Sequence, residues 1–151
     1  MNSINQPLQS KLQSLLSFLS QVTTGFDAVA EEIDNTNLKT AMKAVAVESK
    51  QYAKEISNQL QHFNIIPLKE HTDLLWKGIE VNVHEHAGFE KGGEITALCN
   101  NCEIYFGKLY EDVLQEYFPY TKLKAIITYQ LFATQCAFSK IRLLNILRFS
   151  L

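Results

Sequence analysis

Apolar residues recur at three- and four-residue steps along most of this chain, with polar residues between them. After Pro7, the positions Leu8, Leu12, Leu15, Leu19, Val22, Phe26, Val29 and Ile33 form a seam of two apolar residues per heptad. That spacing predicts a first helix over about 8–34. Asp34-Asn35-Thr36-Asn37 then breaks the pattern, and Thr36 or Asn37 offers a cap for the next helix. The second helix, about 37–63, carries Leu38, Met42, Val45, Ser49, Tyr52, Ile56, Leu60 and Phe63 on one face. A shorter amphipathic piece at about 72–86 holds Leu75, Trp76, Ile79 and Val83, and a loop with Gly88, Gly92 and Gly93 follows. A helix over about 94–117 buries Ile95, Leu98, Cys102, Tyr105, Phe106, Leu109 and Val113. Phe118-Pro119 turns the chain into the last helix, about 120–149, with Leu123, Ile126, Ile127, Gln130, Thr134, Ala137, Phe138, Ile141 and Leu144 inward.

The three Pro and three of the six Gly fall between these stretches, and no run alternates with period two for long enough to make a sheet. The first two long helices share so short a connection that they must lie antiparallel. Two long helices, a crossover segment and two more long helices predict an all-α fold, a four-helix bundle of the ferritin-like arrangement with a short crossover helix. A plain up-down bundle needs no crossover of that length.

Composition narrows the partners. The 151 residues suit a single domain, 1–151, with its own core. A hydrophobic content of 46% and a charged content of 20% are globular values. A formal net charge of −2 argues against nucleic acid or an anionic membrane as main partner. The longest uncharged run in the last helix, Ala125 to Ser139, is 15 residues, short of the roughly 20 that span a bilayer. Three Cys make an odd count, and the polar Met1–Leu12 stretch is no secretory signal, so a reducing, cytoplasmic setting is expected.

The run Gly25-Phe26-Asp27-Ala28-Val29-Ala30-Glu31, then Leu38-Lys39, then Glu48 through Tyr52 to Glu55-Ile56, resembles a bacterial four-helix-bundle family of the ferritin-like superfamily. Cys102-Glu103 and Gln130 extend the likeness, which is scattered over about Leu8 to Leu147. That family is largely uncharacterised. The resemblance implies a ferritin-like fold and a stress-related setting. The chain also departs from the pattern. Trp76 to Cys102 is longer than the family has it, a second acidic residue would fall near Phe106, and a late histidine near Phe138. Each departure removes a metal ligand, so no cofactor is expected.

Di-metal bundles take a Glu from each of two helices and a Glu-x-x-His from each of the other two, because residues three apart share a face. The fallback carboxylates are Asp27 (or Glu31), Glu48 and Glu103, yet no His here follows a Glu by three residues and the last helix has no acid or His. At 100° per residue these carboxylates fall at the edges of their apolar stripes. The central positions go to Thr23, Ser49, Cys102, Gln130 and Thr134, an uncharged polar layer. His84-x-His86 with Cys99-x-x-Cys102 is a chemically suitable zinc set. Cys102 points to the core, however, and the histidines end the crossover, so buried thiols packing as small apolar groups are preferred. Tyr52, Trp76, Tyr105, Tyr110 and Tyr117 fit a ligand pocket but stand at core and rim spacing.

Opposite its core stripe the last helix carries Tyr129, Phe132, Cys136, Leu143 and Leu147. A helix apolar nearly all round is buried on two sides or used in association. A homodimer through this face is expected; the alternative is coverage by Trp76, Ile79 and Val83 within one chain. Three functional readings follow. The first is a non-catalytic structural or protein-interaction bundle. The second is a metal-binding oxidoreductase or storage protein using the acidic trio, and the third a small-molecule binder.

Overall fold

The computed structural model describes residues 6–63 and 93–149. Among them the fold is all-helical: α1 (Gln6–Glu31), α2 (Thr36–His62), α3 (Gly93–Leu114) and α4 (Thr121–Leu147), with no strand. The expected crossover helix at about 72–86 lies outside the described residues.

Local hydrogen bonds explain where the helices stop. Glu32 and Ile33 donate to the carbonyls of Val29 and Ala30 at 3.0 and 3.1 Å, three-residue bonds that tighten and close α1 before the expected end at 34. The cap of α2 is Asn35, not Thr36 or Asn37. Its extended backbone (φ −66°, ψ 118°) lets the side-chain oxygen accept from the Leu38 amide at 3.0 Å. At the end of α3, Glu116 donates to the Val113 carbonyl at 3.2 Å, so regular helix stops three residues before the expected 117.

Four pairings fix the directions. The Lys11 ammonium near the start of α1 donates to the Asp112 carbonyl at 3.3 Å and sits 3.5 Å from Glu116, at the end of α3. Lys43 near the start of α2 pairs with Glu31 and lies 3.9 Å from Asp27, at the end of α1. The rings of Phe63 and Tyr120, beside the end of α2 and the start of α4, have centroids 4.2 Å apart. Arg148 beyond α4 stands 4.0 Å from Glu94 at the start of α3. Each helix is thus antiparallel to both neighbours, in the cyclic order α1, α2, α4, α3. It follows that α2 and α3 run parallel across the diagonal. The chain leaves α2 at one end of the bundle and enters α3 at the other, about 40 Å away for 27 residues of helix.

The core lies along the axis of this square. Leu8, Leu12, Leu15, Leu19, Val22 and Phe26 of α1 are buried, as the heptad seam requires. An aromatic chain crosses the middle: Phe18 meets Phe106 at 5.0 Å, Phe106 meets Phe138 at 5.6 Å, and Phe138 meets Phe26 at 5.8 Å. Tilted and edge-to-face geometries of this kind add favourable quadrupole contacts to the burial itself. No helix among the described residues is long and apolar enough to cross a membrane.

Candidate functional site

Beside the aromatic chain lies the polar part of the core. The Tyr110 hydroxyl donates to Gln130 Oε1 at 2.8 Å, and Gln130 Nε2 donates to the Tyr52 carbonyl at 3.2 Å and to Glu55 Oε1 at 3.0 Å. Gln130 is fully buried, and its amide therefore ties α3, α4 and α2 together. Burial pushes the Tyr110 hydroxyl well above the ordinary tyrosine range, so it stays a neutral donor. Ser49, Thr134 and Cys102 are buried as the spacing predicts. Thr23 is not part of the layer: it is half-buried, and its hydroxyl turns back to the Leu19 carbonyl at 2.8 Å.

The fallback metal ligands do not converge. Asp27 is exposed beside Lys43, Glu103 accepts from Arg142 at 2.6 Å, and Glu48 is half-buried on the α2 face opposite Lys140. Each carboxylate faces a cation of its own, because each sits at the edge of its stripe where long basic side chains of the neighbouring helix reach it. Among the described residues no three of His, Cys, Asp and Glu come together. Of the zinc candidates, His84 and His86 lie outside the described residues. Cys99 and Cys102 are buried free thiols. Burial pushes Cys99 up to about 12 and Cys102 well above the ordinary thiol value, which disfavours the thiolate that zinc requires.

Two features remain at the surface. An open groove of about 660 Å³ runs along the seam of α2 and α4, with Glu48, Tyr52, Glu55, Tyr129, Phe132 and Lys140 on its banks. Burial raises Glu48 above the ordinary carboxylate value while Lys140 pulls it down, and burial takes Tyr52 up to about 12. The outer face of α4 is the second feature. Tyr129 and Phe132 are each 65% exposed, Leu143 55% and Leu147 50%, and Cys136 is exposed as well. Ile146, at 62%, and Phe149, at 49%, enlarge the patch beyond the residues expected from the sequence. Ile146 follows Leu143 at a three-residue step, the signal that would have found it, whereas Phe149 lies past the end of the helix at Leu147.

The chain matches no family model, no curated protein and no solved structure. The likeness to a ferritin-like family rests on the residues quoted for it alone.

Proposed function

We propose that the chain is a ferritin-like bundle without metal chemistry, a structural or protein-interaction module that pairs with a second copy through α4. The observation that carries this reading is the two-sidedness of α4. Inward it offers Gln130, Thr134 and Phe138, all buried and none charged; outward it offers exposed apolar side chains. Support for the ferritin-like arrangement comes from the parallel diagonal of α2 and α3, which calls for one long connection. A reducing, cytoplasmic setting suits its three free cysteines.

Elemental analysis of protein purified without chelator or affinity metal tests the first half. No stoichiometric metal is expected; one or two iron or manganese per chain would overturn it and direct mutation to Asp27, Glu48 and Glu103. Mass in solution tests the second half. The native protein should run as a dimer, and Phe132→Lys with Leu143→Lys as a monomer. The groove between α2 and α4 favours a second reading, a binder of small molecules with an apolar body and a charged end. Retained ligand in purified protein would support it.

A further inference from the structure

The outer stripe of α4 has a register. Tyr129, Phe132, Cys136, Ser139, Leu143 and Ile146 are all exposed and follow one another at alternating steps of three and four residues. That is the heptad seam of a two-helix coiled coil, set directly opposite the stripe that faces the core. We propose that it pairs with itself in antiparallel sense, about a two-fold axis between Cys136 and Ser139.

One register uses all six positions. Tyr129 packs beside the partner's Ile146, Phe132 beside the partner's Leu143, and Cys136 beside the partner's Ser139. Each large ring then meets an aliphatic side chain, and the two small residues meet at the axis, where close approach is needed. Sliding by one heptad sets Ile146 against Lys122 in one direction. In the other it carries Tyr129 and Phe132 past the end of the helix at Leu147. Neither slide matches the stripe.

Charge selects the direction. Every ionisable side chain of α4 and its C-cap that carries charge at neutral pH is basic: Lys122, Lys124, Lys140, Arg142 and Arg148. A parallel pair would set each beside its own copy and align the two helix dipoles. The antiparallel register places Lys140 level with Gln135 and Arg142 level with Ala133, and opposes the dipoles. The borders of the stripe are already neutralised, by Glu48 opposite Lys140 on one side and Glu103 on Arg142 on the other. With Leu147 at its edge, five large apolar side chains of the stripe (Tyr129, Phe132, Leu143, Ile146 and Leu147) are each at least half exposed, the aromatic and aliphatic anchors that the core of an interface needs.

This register rests on the pairing proposed above, and one experiment separates the two. Tyr129→Cys and Ile146→Cys are made separately in a Cys136→Ser background, checked for native helicity, mixed and mildly oxidised. The mixture should give a covalent dimer, and neither variant alone should, since like positions then lie about 25 Å apart. Covalent dimers from each variant alone, with none added by mixing, would overturn the antiparallel register while leaving the pairing intact. A monomeric mass for the native protein at every concentration would overturn both. Unmodified protein supplies an independent readout: modification of the Cys136 thiol should slow several-fold as protein concentration rises through the dimerisation range, and a rate independent of concentration would count against the proposal.

Discussion

Phe106 and Phe138 meet edge to face with ring centroids 5.6 Å apart, near the two places where the ferritin-like resemblance asks for an acid and a histidine. Both are buried, at 1% and 0% exposure. There the chain closes an aromatic contact between α3 and α4, and the bundle's centre is a packing element.

Truncating either ring should accordingly be costly. Phe106→Ala or Phe138→Ala is expected to lose about 3–5 kcal/mol, a large share of the roughly 5–15 kcal/mol that holds a domain together. Phe132→Ala, on the exposed face, should stay within about 0.5 kcal/mol in the monomer. Urea unfolding at low protein concentration measures the contrast, and equal losses at all three positions would contradict it.

Adding iron or manganese should leave the thermal midpoint where it was, and so should a chelator, because a ligand stabilises only the state that binds it. A rise of several degrees with either metal would mean that the three separated carboxylates are not the whole inventory.

The buried amide of Gln130 makes a second expectation. Tyr110→Phe removes the donor to Oε1 and leaves that oxygen buried, at a cost of about 1–3 kcal/mol. Tyr110→Phe combined with Gln130→Leu should cost less than the sum of the single changes, since the two side chains share one hydrogen bond. A double-mutant cycle from denaturant midpoints reads the coupling directly.

Thiol chemistry should divide the three cysteines. Cys136 is expected to react first in native protein at low concentration, whereas Cys99 and Cys102 should react only when the bundle opens. Their burial suppresses the thiolate, the reactive species. Counting modified thiols by mass against time, with and without denaturant, checks this order.

Glu48 predicts a pH effect of definite sign. Burial raises its folded pKa above the ordinary 4.5, so the folded state holds the proton more tightly than the unfolded one. Stability from this group is therefore lost as pH rises from the unfolded value through the folded one. Glu48→Gln should raise the unfolding free energy near neutral pH by a few tenths of a kcal/mol, tempered by Lys140, and leave it unchanged in acid. A gain in acid instead would reverse the assignment.

The helical spans were legible because apolar residues at three- and four-residue steps can be satisfied only by a helix with one buried side. Ser49, Gln130 and Thr134 were legible for the same reason: rotation about a helix axis assigns a face to every residue. What rotation does not assign is height. That Gln130 stands level with Tyr52, Glu55 and Tyr110 depends on how far each helix slides against its neighbour, which no local pattern records. Nor could periodicity tell Thr23 from its neighbours in the layer, because a threonine hydroxyl can bond the carbonyl four residues back and leave the core without a partner. The cap of α2 was ambiguous for a related reason. Asp34, Asn35, Thr36 and Asn37 all have the chemistry, and the tightened end of α1 decides that Asn35 takes the role.

The two short connections, residues 32–35 and 115–120, join α1 to α2 and α3 to α4. Each pair is an antiparallel hairpin whose contacts are local in sequence, and the α1–α2 hairpin can begin to form before α3 and α4 have been synthesised. Among the described residues the bundle is therefore two hairpins docked on each other across the α1–α3 and α2–α4 seams. A chain cut between those halves should reassemble when its fragments are mixed, and the rate of that assembly should be set by docking the hairpins, not by winding the helices.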